Sequence, residues 1–314
     1  MSVRFGLFVP QGWKMDLVGI DDPVEQYEAM TAVAKRADQG PWDSVWVYDH
    51  FHTVPEPTME TTFEAWTVSA TLARDTERVR IGQMVSCNGY RNPALFAKIA
   101  STVDVASGGR LNAGIGGGWY EHEWRAYGYG FPETGPRMRM FREGVQIMHK
   151  MFSEDKPTFE GEFYTIDEPI NEPKSAKPGH KIPLWIGGGG EKVTLKLVAQ
   201  YGDACNVGRD PELCRHKLQV LKDHCENLGR DYGEIIKSAE LDAIILNEGD
   251  DADAIRENLL FDYTIVGKAQ EIRDYVQRLV DAGIDYIIVY LPGVATNHDL
   301  ISQFESEVIA HFAS

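Results

Sequence analysis

The sequence is short of cysteine and of positive charge, and it has no long apolar run. Its four cysteines, Cys87, Cys205, Cys214 and Cys225, show no C-x-x-C spacing, so neither a zinc site nor a dithiol redox pair is expected. Isolated thiols suit a reducing cytoplasm. The 31 Lys and Arg are outnumbered by 48 Asp and Glu, for a formal net charge of -17. Nucleic acid and anionic lipid both require a basic footprint, so neither is an expected partner. No stretch is long enough to span a bilayer, and the apolar run to Val9 is too short for a signal sequence. With no linker, low-complexity tract or short repeat, residues 1–314 are expected to form one domain.

What the chain does have is alternation. Apolar segments at Arg4–Val9, Val45–Tyr48, Arg78–Val85, Leu111–Ile115, Pro183–Ile186, Ala204–Val207, Ala239–Leu246 and Tyr286–Leu291 read as buried strands. Between them lie helical patterns, among them Asp22-Pro23-Val24-Glu25 leading a helix to Gln39, Phe63–Arg74, a helix opened by Asn92-Pro93, Arg137–Phe152, Glu191–Tyr201 and Pro211–Leu228. Phe159–Thr165 reads as a small hairpin, and Leu300, Phe304, Val308 and Phe312 mark a last amphipathic helix. Eight strands alternating with helices predict an α/β fold, a (β/α)8 TIM barrel with insertions; a doubly wound open sheet is the rival.

The second strand ends abruptly in Asp49-His50-Phe51-His52. A carboxylate beside an imidazole, at the end where barrels open, is where such enzymes carry chemistry; a capping Asp and a structural His is the bland alternative. Trp185-Ile-Gly187-Gly188-Gly189-Gly190-Glu-Lys192-Val-Thr194 joins a strand to a helix start and reads as an anion site for a phosphate-bearing cofactor, with Lys192 and Thr194 adding a charge and a hydroxyl. Gly114-Ile-Gly116-Gly117-Gly118-Trp119 displaces the third glycine of a dinucleotide fingerprint, so it either lets backbone approach a flat ligand or makes a tight loop. His50-x-His52 has the form of a barrel metallohydrolase, but no further ligands stand at the other strand ends, and no metal is expected. Aromatics at Trp13, Tyr48, Phe51, Trp66, Trp119, Tyr120 and Trp124 would wall a pocket for a planar ligand.

Asp43-Ser44, Asp49-His50-Phe51, Arg91-Asn92-Pro93, Gly114-x-Gly116-x-Gly118 with Glu123, Gly187 to Gly190, Gly202-Asp203 and Pro292-Gly293 occur in the order found in the luciferase-like monooxygenase superfamily. Within it the chain most resembles the branch that uses the deazaflavin coenzyme F420, which includes a glucose-6-phosphate dehydrogenase. The resemblance implies an F420-dependent oxidoreductase that passes a hydride between the deazaflavin and a small organic substrate, in a cytoplasmic homodimer. It makes His50 the general acid or base and gives Asp49 the task of orienting it or contacting the cofactor. Met84 and Val85 would lie behind the ring, Gly187, Gly188, Gly189 and Gly190 would hold the phosphate, and Trp13, Phe51, Trp119, Tyr120 and Glu123 would form the substrate pocket. Trp119 stands where the dehydrogenase has its catalytic glutamate, and only Arg209 lies near the cations of a sugar-phosphate site. Two rivals remain: a two-component monooxygenase using FMN reduced by a partner reductase, and a non-catalytic flavin-binding barrel.

Overall fold

In the computed structural model, which describes residues 3–313, eight parallel strands close on themselves: β1 (Arg4–Phe8), β2 (Ser44–Val47), β3 (Arg80–Gln83), β4 (Leu111–Gly116), β5 (Leu184–Gly187), β6 (Ala204–Asn206), β7 (Ile236–Ile245) and β8 (Tyr286–Tyr290). Each pairs with the next, and β8 returns to β1 with Arg4 opposite Tyr286. This is the expected (β/α)8 barrel. Met1, Ser2 and Ser314 lie outside the described residues.

Side-chain alternation along the strands builds two cores. Leu7, Val45, Val47, Ile81, Ala113, Ile287 and Val289 point outward and pack beneath the surrounding helices. Phe8, Trp46, Trp185, Tyr286, Ile288 and Tyr290 point inward and fill the barrel. Trp46 occupies the space that Gly6 and Gly82 leave by lacking a Cβ, and its ring meets Trp185 edge-on at 4.7 Å. The barrel floor is therefore solid, and a ligand can be admitted only from the carboxyl end of the strands.

Helix starts follow their capping residues. Asp22 accepts from the Val24 amide at 2.7 Å to open α1 (Pro23–Gln39). Glu64 does the same for Trp66 and Thr67, so α2 begins at Ala65 and runs to Asp75, with the expected Phe63 left outside. Asn92 caps α3 (Pro93–Ala106). Two six-residue helices, α4 (Glu121–Ala126) and α8 (Ala252–Glu257), were not foreseen, because one and a half turns show no helical period. Between them lie α5 (Thr134–Ser153), α6 (Thr194–Tyr201), which starts three residues later than expected, and α7 (Pro211–Leu228). The Phe159–Thr165 hairpin forms from Thr158–Glu160 and Thr165–Asp167. β3 is shorter than expected: the Met84-Val85 peptide is cis, and the chain pairs again with β4 only at Ser86–Cys87. Among the described residues no helix is long and apolar enough to cross a membrane.

Candidate active site

The strand ends surround a cavity of about 770 Å³. His50, at the end of β2, lies on its wall, with one ring face stacked on Trp13 at 4.3 Å and nearly parallel. Its Nδ1 is 2.8 Å from Oε2 of Glu123, which α4 carries inward to full burial. The same carboxylate accepts from the Tyr90 hydroxyl at 2.7 Å and from the amides of Phe51 and His52 at 2.7 and 2.9 Å. Burial by itself would raise the pKa of Glu123, but the hydrogen bond and charge of His50, with the Tyr90 and His52 donors, hold it below the ordinary carboxylate value. Glu123 is thus a stable anion that fixes the imidazole tautomer and leaves Nε2 as the ring nitrogen free to meet a ligand.

Asp49 is held otherwise. Its two oxygens take Nη1 and Nη2 of Arg91 at 2.6 and 2.9 Å, and Oδ2 also accepts from the Cys87 amide at 2.8 Å. Burial opposes the charge on Arg91, but Asp49 and Glu64 together raise its pKa well above the usual value. Asp49 therefore does not orient His50; Glu123 does, and Asp49 braces the backbone just after the Met84-Val85 peptide. The neighbouring Cys87 thiol is pushed upward by burial and by Asp49, which keeps it protonated.

The glycines explain one another through Val85. A Cβ on Gly114 would collide with the Gln83 carbonyl oxygen, one on Gly116 would stand 2.5 Å from the Val85 side chain, and one on Gly187 would stand 2.8 Å from it. Bare backbone on β4 and β5 thus lets Val85 seat itself as the back wall of the cavity, while Gly117 and Gly118 continue the wall toward Trp119. At the end of β5, Gly188 adopts φ +115°, a conformation that favours glycine, and Thr194 follows at the first turn of α6.

Opposite His50 the wall is charged but neutralised. Arg209 donates to Glu240 at 2.9 Å and lies 3.7 Å from Asp242, which in turn holds Lys14 at 2.5 Å. Glu240 and Asp242 project inward from β7, alternating with the outward Ala239, Leu241 and Ala243. Burial raises the pKa of Glu240, with the Arg209 and Lys14 charges only partly countering it.

Of the residues expected from the sequence, the cavity brings together Trp13, Asp49, His50, Met84, Val85, Trp119, Tyr120, Gly187, Gly188, Gly189 and Thr194. Four stand off it. Phe51 packs on Tyr90 and Tyr127 in a separate cluster; Glu123 lies behind His50 instead of lining the pocket; Gly190 and Lys192 face solvent, because α6 begins only at Thr194. Sequence reasoning named Arg209 only as lying near a cation position and missed Glu240 as a wall residue, although the polar-apolar alternation of Ser238 to Ala243 carried that second signal. His52 pairs with His122 at the surface, 3.0 Å between their Nδ1 atoms, and among the described residues no group of three or more His, Cys, Asp or Glu could hold a metal.

The family model for luciferase-like monooxygenases matches residues 3–257. An F420-dependent glucose-6-phosphate dehydrogenase of Kineococcus radiotolerans is 27% identical, the match covering 88% of this chain and 90% of that one. A protein of the same name from Amycolatopsis mediterranei is 25% identical, covering 93% and 97%. An F420-dependent secondary alcohol dehydrogenase, solved in complex with an F420-acetone adduct, shares the fold with a TM-score of 0.82 at 22% identity over 99% of both chains.

Proposed function

Since the chain belongs to the luciferase-like monooxygenase family, we propose that it is a coenzyme F420-dependent oxidoreductase acting on a small, uncharged organic substrate. The observation that carries this reading is the buried Glu123–His50 pair on the wall of a cavity backed by Val85. The cavity suits a flat tricyclic ring, since Gly114, Gly116 and Gly187 leave room for Val85 to form its back wall, and its relatives are named for the same cofactor. Bound there, the deazaflavin supplies the two-electron chemistry, giving or taking a hydride at C5. Met84, Val85, Gly187, Gly188, Gly189 and Thr194, all on the cavity wall, would hold it.

His50 moves the proton. With Nδ1 engaged by Glu123, Nε2 accepts a proton from a substrate hydroxyl in one direction and returns it to a carbonyl oxygen in the other. Glu123 stabilises the imidazolium that forms and keeps the ring from rotating. Trp13 and Tyr120 flank His50 and exclude water. Arg209, on the wall opposite, is already matched by Glu240 and Asp242, so among the described residues of this wall a phosphorylated sugar would find no free guanidinium. In this the pocket differs from what the names of the two dehydrogenase relatives would require.

Calorimetric titration with oxidised deazaflavin and with FMN tests the reading. Deazaflavin is expected to bind far more tightly. Tight FMN binding without measurable deazaflavin binding would overturn the proposal in favour of a monooxygenase fed reduced FMN by a partner.

A further inference from the structure

A second cavity, of about 920 Å³, opens beside the first at the same end of the barrel. Its walls come from the loop after β1, the end of β7, and α8 with the segment that follows it. Phe261 lines both cavities, so one side chain is the partition between them. That ring is stacked on Tyr263 at 5.0 Å and is carried by the loop between α8 and the short strand Ile265–Gly267.

The second cavity is largely apolar. Val18, Ile244, Ile255, Leu259 and Leu260 face it, and Val18 and Leu260 remain about half exposed. Large side chains left wet at a cavity that shares a wall residue with the reaction site gain by receiving the apolar part of a ligand. Its charges decide which ligand. Lys14 is its one lining cation, and its ammonium is taken by Asp242 and lies over the Tyr290 ring at 4.1 Å. Asp16, Asp250 and Asp251 also line it. An anionic group is therefore repelled, and an uncharged one is favoured.

We infer that the two cavities together hold one substrate, its reacting carbinol or carbonyl beside His50 and an uncharged apolar extension lying past Phe261 in the second cavity. The position of the reacting group rests on the oxidoreductase reading above; the binding of the extension does not.

Unbranched methyl ketones from four to twelve carbons, titrated into protein loaded with oxidised deazaflavin, give binding without turnover, since both partners are oxidised. Once the chain is long enough to pass Phe261, affinity is expected to rise about fourfold per methylene, the usual worth of a buried CH2. Ile255→Asp and Leu260→Asp should each flatten that rise, weakening the longest ketone at least tenfold while deazaflavin and butanone affinities stay as in the parent. Phe261→Trp, which thickens the partition, should cut only the long chains. A series that is flat in the parent, or a slope unchanged in both aspartate variants, would overturn the inference. Should deazaflavin itself fail to bind, the cofactor reading falls, and the same series on the protein alone still reports on the second cavity.

Discussion

Asp49 and His50 follow one another at the end of β2, yet the carboxylate is locked to a guanidinium while the imidazole leans on a carboxylate from another helix. In the first pair a guanidinium, a permanent cation, grips both carboxylate oxygens in one bidentate contact. In the second pair Glu123 engages one ring nitrogen, and the other remains free. Adjacent residues on one strand end thus serve opposite purposes: Asp49 with Arg91 fixes where the backbone behind the cavity runs, and Glu123 with His50 leaves a proton free to move.

Substitution at His50 should separate the two pairs most sharply. His50→Ala is expected to lower turnover by about 10²–10⁴, the usual worth of a positioned acid or base, with deazaflavin affinity within a few fold; single-turnover rates and calorimetry on one preparation check it. Parental turnover in a cofactor-saturated variant would erase the contrast. Breaking the other pair should show up as stability. Arg91→Ala leaves the buried Asp49 carboxylate without its cation, and a loss of about 3–5 kcal/mol is expected in denaturant melts. A variant as stable as the parent would mean that Asp49 needs no partner.

A smaller effect is expected at Glu123. Glu123→Gln keeps the shape but removes the charge that favours imidazolium, and turnover should fall about 10–100-fold, as for loss of a partner behind a functional histidine. Stability should respond to acid as well. Because the folded state holds the pKa of Glu123 below its ordinary 4.5, its contribution is fully present above that pH and is lost as pH falls through the folded value. Glu123→Gln should therefore flatten the acid limb of a pH-melting curve. The mildest test concerns a buried carboxylate whose pKa is raised. Asp16 accepts the Gly12 amide at 2.6 Å, and burial raises its pKa to about 6 despite that bond and the Lys14 charge. The sign is reversed: its contribution fades as pH rises toward 6 and beyond, so Asp16→Asn should make the melting temperature less sensitive to pH between about 4 and 7. A slope like the parent's would show that Asp16 stays solvated.

The barrel was legible because each strand is a run of inward and outward apolar residues flanked by glycine, proline and caps, and these are local signals. Asp49-His50 was legible for the same reason, as polar residues ending an apolar strand. Their partners were not. Glu123 is 73 residues from His50 and sits on a helix too short to show a period, and Arg91 reaches Asp49 across 42 residues. Glu123 was expected in the pocket and Asp49 either orienting His50 or contacting the cofactor; in the fold Glu123 stands behind His50, and Asp49, on the cavity wall, is paired with Arg91. Gly190 and Lys192 were read as part of a helix start three residues early, whereas they lie on the exposed chain before α6. The role of Gly114 and Gly116 depends on the Met84-Val85 segment of a neighbouring strand, which no spacing within the glycine run reveals.

The stack of Trp13 on His50 turns the proposed proton carrier into something that can be watched by light. An indole lying flat at 4.3 Å against an imidazole changes its emission when that ring becomes cationic, since the charge then sits over the electron-rich face. The protein has six other tryptophans, so the signal is the difference between the parent and Trp13→Phe. Followed across pH, that difference gives a titration curve for one side chain in the working enzyme, free of any assumption about which substrate it serves.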